Sequence, residues 1–374
     1  MSYLPNSDRL DIAALSGLFR NTTNSYKYLF FLSLLTLIKE RNFSIDKGIL
    51  LRDIESEMLV TAWYPNVFFK LSFGTQDKIS LALKQIQDTD NDRNVLSKSG
   101  RQTLRSRIVV DSYEKVQTYN FMRYVPNRIL RPFFVRETKG MPDYLVDQKI
   151  PELAAKQFLE RCPLFYFDES RERIFLHIDW IAYLERHQAI IEGWALWHWA
   201  DYMQRRNPNI PAVTQKLFPP DQRESLNAQR KFWNSVIDQG EIRCIYTDRK
   251  ICGDYELDHF LPWRFVAHDQ LWNLIPVDPG ANSSKSDQLP DKKYIDRLAE
   301  TQHTALSIVQ NRYSNDKWKK VVESYITGLH IEQLGALLDR GELKSAYHET
   351  LNPLMSTAKR QGFQSEWTYQ GLYL

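Results

Sequence analysis

Three short stretches in the second half of the chain decide its fold. They are residues 256–263, Glu-Leu-Asp-His-Phe-Leu-Pro-Trp, residues 271–276, Leu-Trp-Asn-Leu-Ile-Pro, and residues 282–287, Asn-Ser-Ser-Lys-Ser-Asp. Neighbouring side chains of a strand point to opposite faces, so Asp258 and His259 can converge only where a strand ends or bulges. Pro262 supplies that end. The stretches therefore predict a strand, a long loop, a second strand and a helix, with polar side chains at the element ends.

The polar residues of this pattern carry recognisable chemistry. A carboxylate beside an imidazole, here Asp258 and His259, can hold a divalent cation while the imidazole takes a proton from water. Asn273 stands at the start of the second predicted strand. Asn282 opens the predicted helix, and Lys285 lies on the same helix face three residues later. We therefore expect one site at the ends of these elements.

This pattern resembles the HNH endonucleases. The motifs Asp-His-x-x-Pro, Trp-Asn-Leu-x-Pro and Asn-x-x-Lys-Ser-Asp are similar to those in the HNH module of RNA-guided CRISPR nucleases and of bacterial restriction-like effectors. The resemblance covers roughly residues 241–290. It implies an α+β fold, in which a predominantly helical protein carries a ββα-metal module that closes around one divalent cation.

The resemblance also implies a role for each polar residue. His259 would be the general base that deprotonates the attacking water. Asp258 and Asn282 would bind the metal, which would polarise the scissile phosphate and stabilise the leaving 3′ oxygen. Asn273 would hold the loop that orients the imidazole. Lys285 would contact phosphate or stabilise charge.

One departure from the family bears on the choice of metal. Many HNH proteins have a histidine where this chain has Asn282, and an amide oxygen is a harder ligand that favours Mg²⁺ or Mn²⁺ over Zn²⁺. Glu256, two residues before Asp258, is open as a third ligand, as a group that hydrogen-bonds a ligand, or as a solvated side chain. We expect His268 and Asp269 to be surface groups of the loop.

The composition narrows the class of protein. The 374 residues are 43% hydrophobic and 25% charged with a net charge of +3, which is typical of a soluble globular protein. Three cysteines (Cys162, Cys244 and Cys252) cannot form a disulfide framework and indicate a reducing cytoplasm. The start of the chain shows no signal peptide, and the longest apolar run, residues 28–38, is too short to cross a bilayer. We therefore expect a cytoplasmic protein without a membrane segment.

A basic stretch runs from Arg93 to Lys139. Eleven basic and three acidic residues give it a net charge of +8, and six aromatic residues are interleaved. It is either a solvated surface or a surface that follows nucleic-acid phosphates, with Arg101, Arg105 and Arg107 as the first contacts.

Hydrophobic periodicity and the positions of helix-capping and helix-ending residues predict the remaining elements. Helical spacing covers residues 8–40 and 222–238. A short strand is expected at residues 173–178, followed by one long helix from Asp179, as its N-cap, to Arg206. We expect a mostly helical region at residues 1–215 for substrate, partner or control, the nuclease module at residues 216–299, and a helical region at residues 300–374.

The predicted function is metal-dependent hydrolysis of phosphodiester bonds in DNA. By association with bacterial HNH effectors it would serve restriction or anti-phage defence, with companion defence proteins as further partners. Two alternatives stay open: a nuclease that acts on RNA, or only within a larger assembly that activates it, and a non-catalytic nucleic-acid-binding scaffold. The modest net charge favours the first alternative. The intact Asp258, His259 and Asn282 argue against the second.

Overall fold

The chain folds into two units of helices and small sheets. The structure, a computed structural model, describes residues 4–44, 46–86, 98–109, 113–218 and 225–371. One unit comprises Met1–Pro208 and Val213–Asp221, and the other comprises Asn209–Ala212 and Gln222–Leu374. The predicted α+β class is confirmed. Among the described helices, none has both the length and the apolar character required to cross a bilayer.

The first unit is mainly helical. Its described helices are α1 (Ile12–Ser16), α2 (Tyr26–Glu40), α3 (Leu51–Trp63), α4 (Ile79–Ile86), α5 (Lys98–Arg107), α6 (Tyr113–Gln117), α7 (Val125–Leu130), α8 (Asp143–Lys156), α9 (Phe158–Arg161), α10 (Ile178–Arg186) and α11 (Gln188–Arg206). The apolar run predicted as a buried helix forms α2, which packs against α3 and α11. Residues 17–25 separate α1 from α2, so the helix predicted over residues 8–40 is two helices.

A small antiparallel sheet completes this unit. Its strands are β1 (Ile49–Leu50), β2 (Phe165–Phe167) and β3 (Arg173–Leu176), in the order β1-β3-β2. The strand predicted at residues 173–178 is confirmed as far as Leu176.

The prediction of a single helix from Asp179 to Arg206 is wrong in two details. Helix α10 begins at Ile178, and His177 is its N-cap, accepting a hydrogen bond from the Asp179 amide. At His187 the backbone leaves the helical region (φ −112°, ψ 22°), and its carbonyl then accepts from Ile191 to begin α11. The apolar spacing continues across this one-residue break, so periodicity does not detect it.

The second unit contains the predicted strand–loop–strand–helix. Its described elements are α12 (Asn227–Ile237), β4 (Glu256–His259), α13 (Trp263–Val266), β5 (Leu274–Val277), α14 (Pro279–Lys285), α15 (Tyr294–Gln310), α16 (Asn315–Leu329) and α17 (Arg340–Arg360). Strands β4 and β5 are antiparallel, with Asp258 opposite Ile275 and His259 opposite Leu274. Helix α14 begins with Pro279 at its first turn, and the Asp278 carboxylate caps the Gly280 amide.

Helices α15, α16 and α17 hold the ββα elements in place. They share one hydrophobic core with β4 and β5. Gln302 of α15 donates to the carbonyls of Leu271 and Leu274 at 3.0 and 2.9 Å, and its own side-chain oxygen accepts from the Tyr325 hydroxyl at 2.6 Å. Tyr347 of α17 donates to the Trp272 carbonyl at 2.9 Å. The turn before β5 is therefore fixed by buried polar bonds from the helices behind it.

Candidate active site

Asp258 lies on β4 with both carboxylate oxygens hydrogen-bonded. Oδ1 accepts from Lys285 Nζ at 2.9 Å, and Oδ2 accepts from the Tyr246 hydroxyl at 2.7 Å. The Asp258 side chain is 4% exposed and that of Lys285 is 0% exposed, so this is a buried ion pair. Lys285 Nζ also donates to the His259 carbonyl at 2.8 Å, which satisfies a second ammonium proton. A phosphate contact of Lys285 has no support in this geometry, because the ammonium is enclosed.

A second polar pair lies one helical turn away on the same two elements. Asn282 Nδ2 of α14 donates to Glu256 Oε2 at 2.5 Å. Glu256 and Asp258 are two residues apart on β4, and Asn282 and Lys285 are three apart on α14. Strand and helix periodicity therefore place all four side chains between β4 and α14. The carboxylate and the amide that the sequence assigns to the metal lie on this one face.

The uncharged hydroxyl of Tyr246 donates a hydrogen bond to Asp258. Burial and the neighbouring Asp258 carboxylate raise the pKa of the Tyr246 hydroxyl well above its usual value. The hydroxyl therefore stays protonated and donates, while the Lys285 ammonium balances the carboxylate charge. The buried Asp258 carboxylate therefore has a hydrogen-bond donor for each oxygen, and one of these donors is a cation.

His259 ends β4 and faces the loop that follows. Its Nε2 lies 2.7 Å from Asp269 Oδ1, and the residue is 8% exposed. Because an ionised carboxylate only accepts, Nε2 donates, and in the neutral ring Nδ1 carries the lone pair. Within the described part of the chain Nδ1 has no hydrogen-bond partner. The ring is therefore oriented, and its basic nitrogen is available to accept a proton.

Asn273 joins the two ends of the same loop. Its Oδ1 accepts from the Leu261 amide at 2.8 Å, and its Nδ2 donates to the Leu261 carbonyl at 2.9 Å. The Asn273 carbonyl also accepts from the Phe260 amide at 2.9 Å. Three bonds thus fix the backbone directly after His259, which is the arrangement that a loop-holding role requires.

Sequence reasoning missed two residues of this site. Asp269 was expected at the loop surface, but its side chain is 13% exposed and bonded to His259, so that expectation is wrong. The loop between β4 and β5 folds back through α13, which brings Asp269 to a histidine ten residues earlier. Tyr246 lies outside the three motifs, and no feature of the sequence marks it as a partner of Asp258.

The comparison with protein families agrees with this geometry. Residues 244–291 match the family model described as HNH endonuclease, and this range contains β4, β5 and α14. The chain carries an HNH endonuclease domain. Searches of the curated proteins and of the solved structures found no match. The HNH resemblance of the sequence is confirmed, and the domain indicates a nuclease.

The donor set of the HNH domain fits a hard divalent cation. Glu256, Asp258 and Asn282 bring two carboxylates and an amide oxygen to one face, and oxygen donors are those that Mg²⁺ and Mn²⁺ prefer. Each Asp258 oxygen accepts one hydrogen bond and keeps a second lone pair. Glu256 and Asn282 are only partly buried, so the open end of this face lies beside them.

Part of the basic stretch outside the HNH domain is paired internally. Glu57 is fully buried and accepts from Arg101 at 2.8 Å and from Arg105 Nε at 2.7 Å. A second acid, Glu40, accepts from Arg105 Nη1 at 2.7 Å. Two of the three guanidinium groups expected as first phosphate contacts are thus committed to carboxylates, and that expectation is not supported for them.

The other described arginines of the basic stretch are not bonded to Glu57 or Glu40. Arg93 lies outside the described residues. Arg107 is partly exposed and has no ion pair with any described residue. Arg128 and Arg131 line a cavity of the first unit together with Lys27.

Proposed function

We propose that the HNH domain hydrolyses phosphodiester bonds in DNA with one Mg²⁺ or Mn²⁺, using His259 as general base and Asp258 and Asn282 as metal ligands. Two observations support the proposal: the His259–Asp269 pair at the end of β4, and the oxygen donors of Glu256, Asp258 and Asn282 between β4 and α14. An imidazole held by a carboxylate on one nitrogen, with the other nitrogen free, is suited to take a proton from water.

Each side chain has a separate task in this proposal. Nδ1 of His259 takes the proton of the attacking water, and the Asp269 carboxylate stabilises the resulting imidazolium and fixes the ring. Asn273 keeps the backbone after His259 in place through Leu261. A metal held by Asp258 and Asn282 would polarise the phosphate and stabilise the leaving oxygen. These tasks together are those of a hydrolytic endonuclease.

Lys285 and Tyr246 act on Asp258 in this scheme. The ammonium and the hydroxyl fix the carboxylate and leave one lone pair on each oxygen for the cation. Lys285 also holds the His259 carbonyl, so it positions two site residues at once. Its contribution is positioning and charge balance, not direct contact with the substrate.

The wider assignments extend this proposal. DNA is the proposed substrate because the motifs resemble the DNA-cutting module of RNA-guided nucleases. Residues 1–215 are proposed to select the substrate, bind a partner or control the module at residues 216–299, and residues 300–374 to support it. Restriction or anti-phage defence in the cytoplasm, with companion proteins, follows from the resemblance alone. The internal pairing of Arg101 and Arg105 favours the alternative in which a partner supplies part of the nucleic-acid contact.

The test is cleavage by the purified full-length chain. Supercoiled plasmid and single-stranded RNA are incubated with Mg²⁺, with Mn²⁺ or with a chelator, and His259→Ala is compared with the wild type. His348→Ala is the matched control, because His348 lies on α17 and pairs with Asp296 away from the site.

We expect metal-dependent nicking of the plasmid that His259→Ala abolishes and His348→Ala retains. Cleavage that persists in His259→Ala contradicts the assignment of the base. Cleavage of RNA alone contradicts the DNA substrate and leaves the site assignment standing.

A further inference from the structure

A cavity of about 950 Å³ lies in the first unit and is lined by residues of that unit. The loop before α2 forms one side of it, and α7 with the turn Arg131–Phe134 forms another. Its volume is within the range of pockets that bind small molecules. The charged side chains that line it are Asp11, Arg20, Lys27, Arg128, Arg131 and Asp143.

The lining has an excess of positive charge. Four basic and two acidic side chains line the cavity, and a third acid, Asp147, lies 3.8 Å from Arg128 outside the lining. Both acids are already engaged: Asp143 accepts from Arg131 at 2.8 Å, and Asp11 accepts from the Ala14 amide at 2.8 Å. Across the described residues, neither Arg20 nor Lys27 forms an ion pair. The cavity therefore holds cations whose counter-charge the described chain does not provide.

Lys27 is the central cation of this group. Its Nζ is fixed by the carbonyls of Leu18 and Asn21, at 3.1 and 3.2 Å. Burial lowers the pKa of the Lys27 ammonium to about 8, and repulsion from Arg128 and Arg131 adds a smaller part of this decrease. Buried lysines are ordinarily paired with acids. The acceptors of Lys27 are neutral carbonyls, so they bring no negative charge to offset that repulsion. An anion bound among these three cations would relieve it.

The geometry points to a binding site for a phosphate-bearing small molecule of nucleotide size in this cavity. Lys27 supplies a fixed point charge, Arg20 supplies a planar fork that has no ion pair among the described residues, and Arg128 supplies a second fork whose partner Asp147 is 3.8 Å away. The side chains of residues 21–24, Asn-Thr-Thr-Asn, line the same cavity and offer hydrogen bonds to a sugar or a base. A volume of about 950 Å³ matches a ligand of nucleotide size.

The experiment measures binding by titration calorimetry on the full chain in metal-free buffer, so that no metal at the HNH site can hold phosphate. The probes are pyrophosphate, ATP, adenosine and a 20-nucleotide single-stranded DNA. The variants are Lys27→Gln and Arg128→Gln. Lys84→Gln is the matched control, because Lys84 is an exposed lysine of α4 outside the cavity.

We expect saturable binding of pyrophosphate and ATP, little binding of adenosine, and at least a tenfold loss of affinity in Lys27→Gln and Arg128→Gln but not in Lys84→Gln. Circular dichroism of each variant checks that it is folded. No saturable binding of pyrophosphate or ATP to the wild type overturns the inference, as does unchanged affinity in both cavity variants. Cavity-dependent binding of the oligonucleotide alone also overturns it and makes this surface a nucleic-acid path.

Discussion

Lys285 and Asp258 form an ion pair that is shielded from solvent on both sides, 0% and 4% exposed, although 27 positions separate them in the chain. The pair links α14 to β4, and the same ammonium reaches the carbonyl of His259. One buried contact therefore fixes the relative position of the proposed base and the proposed metal ligand. This makes Lys285 a structural determinant of the site.

We expect Lys285→Met to destabilise the second unit by about 3–5 kcal/mol, because it leaves a buried carboxylate without its cation. Asp258→Asn with Lys285→Met should cost less than the sum of the two single changes, since the double variant removes both charges. Urea-induced unfolding of the three variants measures this coupling.

An exposed ion pair provides the control for that cycle. Lys359 and Glu366 are 59% and 74% exposed, and Lys359→Met should change the free energy of unfolding by less than about 0.5 kcal/mol. Additive costs for Asp258→Asn and Lys285→Met would show that the two side chains do not depend on each other.

Asp269 should act on catalysis only through His259. We expect Asp269→Ala to lower turnover by on the order of 10²-fold, because the imidazole loses both its orientation and the charge that stabilises its protonated form. The double variant with His259→Ala should be no slower than His259→Ala alone, because the two residues act as a unit. Rates of plasmid nicking measure both effects.

Asp316→Ala is the control for this comparison, because Asp316 is an exposed acid in the first turn of α16. Its turnover should equal that of the wild type. A double variant slower than His259→Ala would assign Asp269 a role of its own.

Much of the HNH domain could be predicted from its spacing. Strand and helix periodicity are enough to bring Asp258, Asn282 and Lys285 to one face between β4 and α14, whereas His259, the next residue on β4, points to the opposite face. The α+β class followed from the same pattern. Sequence spacing therefore predicts those contacts of the site that join neighbouring elements.

What could not be predicted depends on distant partners. Arg101 and Arg105 counted as free charges in the sequence, but Glu57, 44 and 48 positions earlier, takes both. The burial of Lys285 and the approach of Asp269 to His259 depend in the same way on how a loop or helix folds back. A count of the charges along a stretch of sequence does not predict these pairings.

Asn273 should matter for both stability and activity. Asn273→Ala removes two bonds to Leu261 and leaves a buried amide and carbonyl unpaired, which should cost about 2–4 kcal/mol of unfolding free energy. Turnover should fall even at temperatures where circular dichroism shows the variant folded, because the backbone after His259 is no longer held. Full turnover under those conditions would remove Asn273 from the positioning of the base.

Gly328 of α16 should not tolerate a side chain. A Cβ there would lie 2.0 Å from Trp272 Nε1, so Gly328→Ala must displace the indole next to Asn273. We expect a loss of about 2 kcal/mol or more, although alanine is the better helix former. Gly193 of α11 has no neighbour within 4 Å of such a Cβ, and Gly193→Ala should stabilise the chain by about 0.5–1 kcal/mol. Calorimetric unfolding of both variants checks the opposite signs.

Glu55 should make the stability of the first unit depend on pH. Burial raises the pKa of this carboxyl to about 7 from its ordinary 4.5, so the native state binds a proton that the unfolded chain releases. Its contribution is fully present below pH 4.5 and is lost as the pH rises through 7. We expect Glu55→Gln to be more stable than the wild type at pH 8 by about 2–3 kcal/mol and nearly equal at pH 4.5. Urea titrations across that range measure the difference, and a constant difference would contradict the assignment.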